Sequence, residues 1–321
     1  MGEFELIRRC FMQARQGAGV VTGIGDDCAV LQVPAGQQLV VSIDTLVEGT
    51  HFLPGTPPAE VATRLLGAAV SDLAAAAATP AWLTLALTLP RGDADWVEPF
   101  AAALAERACE LGISLVGGDT TRGATLTLSA QVHGFVPAGQ ALLRSGAQVG
   151  DRVLVSGTLG DSRGGLETLL QPRPVDADVR YLQQRFHRPE PRVMLAQRLR
   201  PLVHAGLDIS DGLLADLNHL LEASGVGAEV ERDRVPCSAA LRRLYPQDAA
   251  DWALSGGEDF ELCLSVAAEQ VTACLAEADR LGIRLTEVGR ITAEPGLRVL
   301  DGSGQLIEGL ARGYDHFKES T

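Results

Sequence analysis

Acidic residues in this chain recur where an apolar run stops. Asp27 follows Gly23-Ile24-Gly25-Asp26, Asp44 closes the run 39–43 just after Ser42 and Ile43, and Asp72 sits among Ala69, Val70, Leu73 and Ala74. Asp119 follows the run 113–116 and the pair Gly117-Gly118, and Asp208 and Asp211 flank Ile209-Ser210. Apart from Asp119, with Arg122 three residues on, none has an obvious local Lys or Arg. An unpaired carboxylate in apolar surroundings is costly. Carboxylate and hydroxyl oxygens suit Mg²⁺, a hard cation that keeps water and phosphate oxygens among its ligands. The stretch 117–123 adds glycines that let backbone approach a ligand, the hydroxyls of Thr120 and Thr121, and the Arg122 fork. Phosphate plus metal is the chemistry these residues share. Taken singly, each has a plainer account: a polar β-turn for 117–123, a self-capping turn for Asp26-Asp27, a backbone hydrogen bond for Asp72, an N-cap for Asp208 or Asp211.

Composition narrows the choice. A chain of 321 residues has room for two domains. A net charge of -14 leaves no basic stripe for nucleic acid, yet bound divalent cations would invert the local charge for a phosphorylated small molecule. Of the 27 basic residues only Lys318 is a lysine, which excludes a P-loop, the protein-kinase lysine and any Schiff base away from the tail. The six cysteines are scattered without a C-x-x-C pair and read as buried small hydrophobes in a reducing, cytoplasmic setting. Glu3, Glu5, Arg8 and Arg9 break any apolar leader, and the most apolar window, 65–89, contains Asp72 and Pro80. It reads as a core helix followed by a strand, with no membrane partner.

The elements that must position the acids follow from periodicity. Phe4, Ile7 and Phe11 predict a helix over 4–15, and 39–43 a strand with Asp44-Thr45 at its end. A loop carrying His51 leads to a helix over 58–78 with Pro58 in its first turn, then a strand over 82–89. Asp95-x-x-Glu98 resembles a capping box for a helix stopped by Gly112; strands follow at 113–116 and 125–131. The loop-rich stretch 137–150, with Arg144 as a candidate phosphate contact, divides residues 1–137 from 150–321. In the second part a strand over 152–156 enters the glycine-rich turn 157–165, whose following amides could cradle an anion, though it matches no dinucleotide fingerprint. Helices are predicted over 166–171, 192–204, 267–281 and after Gly212, the last ended by Gly225; strands over 260–266 and 283–288. Gly256-Gly257-Glu258 repeats the glycine–acid turn, and the aromatic end 313–317, with Tyr314, reads as a docked segment.

Eight motifs in order carry a resemblance: G-I-G-D-D-C-A-V, D-T-L-V-E-G-T-H-F, V-S-D-L-A-A, L-V-G-G-D-T-T-R-G, R-S-G-A, L-D-I-S-D-G-L, W-A-L-S-G-G-E-D-F-E-L and G-Y-D-H-F, spanning Gly23 to Phe317. The series resembles the thiamine-monophosphate kinases of the aminoimidazole-ribotide synthetase superfamily. The resemblance implies an α/β (α+β) chain of two domains, the N-terminal one pairing with its twin into a dimeric β-barrel. It implies phosphorylation of thiamine monophosphate by ATP with several Mg²⁺ ions in a homodimer. Carried over by residue, it assigns metals to Asp27, Ser42, Ile43, Asp44, Asp72, Asp119, Asp208 and Asp211, with Asp44, Asp119 and Asp211 catalytic. Gly118, Asp119, Arg144 and Ser210 would contact ATP, and His51, Glu258 and Tyr314 the thiamine substrate. Ile43 departs from the hydroxyl residue found in many members, so only its carbonyl could ligate. The alternatives are another ATP-using synthetase of the superfamily, or a non-catalytic metal- or nucleotide-binding protein of this fold. Selenophosphate synthetases fit less well, because neither Cys10 nor Cys28 has the lysine that accompanies their reactive residue.

Overall fold

The structure, a computed structural model, describes residues 3–12 and 17–310. They fall into two compact units, one of Met1–Leu73 with Ala78–Ala141, the other of Ala74–Ala77 with Leu142–Thr321. The predicted contacts of Tyr314 and the 313–317 segment lie outside the described residues.

The first unit contains α1 (Glu3–Cys10), β1 (Val20–Thr22), β2 (Val30–Leu31), β3 (Gln37–Val47), α2 (Pro58–Ala75), β4 (Thr79–Leu89), α3 (Ala94–Glu110), β5 (Ser114–Arg122) and β6 (Thr127–Pro137). Its main sheet has the order β3-β6-β4-β5, with β5 parallel to β4 and the other pairs antiparallel. β3 and β5 are edges, so one chain closes no barrel among the described residues. Helix α2 is alanine- and leucine-rich, which favours helix, and it buries Val61, Leu65, Leu66, Val70 and Leu73 completely. Each such side chain contributes about 1.5–3 kcal/mol before the entropy of ordering it.

Three local readings change here. The stretch 117–123, read as a turn, is strand as far as Arg122, paired along β4. Strand β4 begins at Thr79, with Pro80 inside it; the register shifts between Pro80 and Trp82, a bulge that absorbs the missing N–H. The cap of α3 is Asp93, whose carboxylate accepts from the Asp95 amide, so the helix starts two residues before the Asp95–Glu98 capping box predicts. Of the cysteines, Cys237, Cys263 and Cys274 are buried as expected, but Cys28 and Cys109 are exposed.

The second unit runs β7 (Arg152–Ser156), α4 (Asp161–Leu170), α5 (Ala177–His187), α6 (Val193–Leu199), β8 (Ala205–Asp208), α7 (Leu213–Ser224), β9 (Gly227–Glu231), α8 (Ala239–Leu244), α9 (Ala249–Ser255), β10 (Leu262–Val266), α10 (Val271–Arg280), β11 (Leu285–Thr292) and β12 (Gly296–Leu300). The sheet order is β12-β9-β11-β7-β10-β8, antiparallel except for β12 beside β9. Both faces of β7 and β10 are covered: Val153, Val155 and Cys263 pack with Leu207, Leu213 and Leu217, while Leu154, Leu262 and Leu264 pack with Leu195 and Leu199. Gly225 ends α7 in the left-handed conformation at φ 69, as its position predicts. No helix among the described residues is long and apolar enough to cross a membrane.

Candidate active site

In the first unit the pleat of β3 turns Ser42, Asp44 and Leu46 to one face and Leu39, Val41, Ile43 and Thr45 to the other, which is exposed. On the helix-covered face the Ser42 hydroxyl donates to the Asp72 carboxylate of α2. Burial, and then the charge of Asp72, push the Asp44 carboxyl up to about 6. Two carboxylates that disfavour each other's ionisation, with a hydroxyl alongside, form an oxygen donor set that a divalent cation would relieve. This fits the Mg²⁺ implied by the resemblance. Among the described residues no three His, Cys, Asp or Glu side chains converge into a ready-made cage. Ile43 turns its side chain to the open face, 60% exposed, leaving only its backbone to that set.

Asp119 stands elsewhere on the sheet. The register places Asp44 opposite Ala130, then Leu85 and Gly118; Asp119 pairs with Ala86, then Ser129 and Thr45. Gly118, not Asp119, therefore shares the row of Asp44, three strand spacings or about 14 Å away. A Cβ at Gly118 would lie 2.1 Å from the Leu85 carbonyl oxygen, so glycine is required there, whereas Gly117 has room. Asp27 is exposed in a turn where the Asp26 carboxylate accepts from the Asp27 amide, the self-capping geometry. His51 accepts from the Val47 amide through Nδ1 at 3.1 Å, and the buried Arg64 donates to its carbonyl at 2.9 Å.

In the second unit, Asp208 ends β8 and is buried. The next residues form a loop zipped to the one carrying Glu258: the Ile209 amide donates to the Glu261 carbonyl at 2.7 Å, Glu258 to Ser210 at 2.7 Å and Phe260 to Ile209 at 2.9 Å. Glycine is needed at both ends of this seam. A Cβ at Gly257 would meet the Ser210 carbonyl at 2.6 Å, and one at Gly212 the Ser255 carbonyl at 2.7 Å. Glu258 and Phe260 hold φ 67 and φ 52, unusual for residues with side chains, so the surrounding contacts fix how Glu258 is presented. Asp216 reaches back from the first turn of α7, one carboxylate oxygen accepting from the amides of both Ser210 and Asp211 at 2.9 Å. Arg144 is exposed on a loop anchored by the Ser224 hydroxyl, which donates to its carbonyl at 3.0 Å.

The glycine-rich turn 157–165 does not offer an anion site. The amides of Gly160 and Ser162 at the start of α4 donate to the carboxylate of Asp259, at 2.6 and 3.1 Å. The anion is supplied by the chain itself. Asp259, Glu261 and Asp161 are buried beside the half-buried Arg185 and Arg192, and none of the five stood out in the sequence, although Asp259 and Glu261 lie inside the quoted E-D-F-E motif.

Residues 25–136 match the family model of the AIR synthase related protein N-terminal domain, and 148–302 that of its C-terminal domain. The chain is 47% identical to the thiamine-monophosphate kinase of Salmonella typhimurium, over 98% of each chain. The thiamine-monophosphate kinase crystal structure from Stenotrophomonas maltophilia K279a superposes with a TM-score of 0.84 at 44% identity, over 92% of this chain and 94% of that one. AaThiL complexed with AMPPCP and TMP gives 0.80 at 32% identity, over 89% of each chain.

Proposed function

The chain belongs to the thiamine-monophosphate kinase family, and from that premise we propose that it transfers the γ-phosphoryl group of ATP to thiamine monophosphate, giving ADP and thiamine diphosphate. The full-length likeness carries this reading, and the Ser42, Asp44 and Asp72 group supports its metal chemistry. The nucleophile is a phosphate oxygen of thiamine monophosphate. Its attack forms a new P–O bond to the γ-phosphorus as the bond to the bridging β–γ oxygen breaks. A phosphomonoester with a second pKa of about 6 is already dianionic near neutrality, so no strong general base is needed. The obstacle is repulsion between two polyanions, and Mg²⁺, when bound, supplies the neutralising charge.

Asp27, Ser42, Asp44, Asp72 and Asp119, with the Ile43 carbonyl, are the metal-holding groups of residues 1–137; Asp208 and Asp211 serve in 150–321. Gly118, Asp119, Arg144 and Ser210 hold ATP. His51, Glu258 and Tyr314 hold the substrate, a negative and aromatic surrounding suited to a cationic thiazolium ring. The setting is cytoplasmic. The deciding experiment is ADP release in Mg²⁺ with and without thiamine monophosphate. Release that requires thiamine monophosphate is expected; release without it, or none with it, would refute the assignment.

The protein acts as a homodimer whose paired sheets complete a barrel. Leu39, Val41 and Ile43 are 44%, 48% and 60% exposed along the edge strand β3, an apolar stripe that a second copy would cover. Val41→Arg is expected to shift the sedimentation coefficient from dimer to monomer at micromolar protein. An unchanged coefficient would place the interface elsewhere.

A further inference from the structure

We propose that Asp216 is a positioning residue: its carboxylate sets the backbone that presents Ser210 and Asp211 to nucleotide and metal. The inference rests on the reading of those two residues given above.

A helix that needed only a cap would carry its acid at the N-cap, but that position in α7 is Gly212, which has no side-chain bond and no space for one. The acid stands four residues later, 3% exposed, and turns back past the helix start to two amides that precede it. Burying a carboxylate there is expensive, as its pKa near 6 reflects: burial raises it, the Asp211 amide bond opposes the rise, and the Asp211 charge adds to it. What the cost secures is the orientation of two successive peptide units. Those peptides carry Ser210 and Asp211, and the Ser210 carbonyl holds the amide of Glu258. Releasing the carboxylate therefore frees the loop on the nucleotide side first and the Glu258 loop second.

The hydrogen-bond pattern makes the idea testable at the level of one atom. Both amides bond to the same oxygen, Oδ2. An asparagine carbonyl oxygen can accept both in the same way, while alanine accepts neither. Initial rates with ATP and thiamine monophosphate varied separately, for the full-length chain in Mg²⁺, decide the matter. Asp216→Ala should raise the KM for ATP about tenfold and lower kcat by a similar factor, with a smaller rise in the KM for thiamine monophosphate. Asp216→Asn should restore the KM for ATP to within about threefold of wild type. A residue needed only for folding would reduce the amount of active enzyme and leave each KM unchanged in both variants, which would overturn the proposal. So would an Asp216→Asn enzyme as impaired in KM as Asp216→Ala. Asp211→Asn run alongside separates the premise: full activity there removes the site reading itself, whereas a collapse there with normal kinetics in Asp216→Ala removes only the positioning role.

Discussion

Asp44→Asn is expected to lose about a thousandfold in kcat and yet to melt at a higher temperature than wild type in metal-free buffer at pH 7.5. Both effects have one cause. In the folded protein the Asp44 carboxyl is pushed up to about 6 by burial and by Asp72, against about 3.9 in an unfolded chain. A raised carboxyl pKa contributes stability that is complete below about pH 4 and is lost as pH rises through about 6. Above that, holding the ionised group costs the folded state on the order of 2 kcal/mol, or about 5 °C in melting temperature for a unit of this size. Asparagine removes that cost along with the metal-binding charge. Adding Mg²⁺ should therefore raise the midpoint of the wild type and leave that of Asp44→Asn nearly unmoved. Asp119→Asn separates the two consequences: Asp119 is exposed on β5, so its loss of turnover should come with no gain in metal-free stability. Differential scanning fluorimetry with and without Mg²⁺, beside steady-state rates, tests all of this. Near-normal turnover in either variant would remove the metal-cluster reading.

The identities of the acids were legible because each interrupts an apolar run, a contrast that survives without knowledge of the fold. Their arrangement was not. Gly117 to Arg122 has the residue types of a turn, and it is strand because the β4 backbone lies beside it, a long-range pairing that local preference does not encode. Helix α5 carries Val179, Leu182 and Phe186 on its buried face, but it lies behind Pro172 and Pro174 in a polar stretch and drew no prediction. By contrast Gly225 and Gly112 were read correctly, since a left-handed residue after a helix is a purely local requirement. The buried carboxylates Asp216, Asp259 and Glu261 were passed over for a different reason. Nothing in a sequence states which distant amide or guanidinium an acid will reach.

Among these carboxylates Glu261 is the one held by two arginines, Arg185 and Arg192. Its carboxylate is fully buried, accepts from Arg192 Nε and Arg192 Nη2 at 2.7 and 2.5 Å, from Arg185 at 2.9 Å and from the Ser156 hydroxyl at 2.6 Å. Burial alone would raise its pKa; the bond and charge of Arg192, then Arg185 and Ser156, outweigh it and set the carboxyl below the ordinary range. Replacing a whole buried ion-pair network by apolar side chains often costs little, but removing only the carboxylate's charge leaves two half-buried guanidinium groups without their counter-ion. Glu261→Gln is therefore expected to lose about 3–5 kcal/mol, on the order of 10 °C in melting temperature. The exposed ion pair of Arg243 with Asp178 is the contrast, and Arg243→Ala should leave the midpoint where it was. The pH dependence has a definite sign. A depressed carboxyl pKa contributes stability that is present above the unfolded value, near 4.3, and lost as pH falls through the folded one. The gap between wild type and Glu261→Gln should thus be widest at neutral pH and narrow in acid. Melting curves from pH 7.5 down to pH 3 measure it directly, and a gap that stays constant over that range would mean that the loss comes from packing and not from the charge.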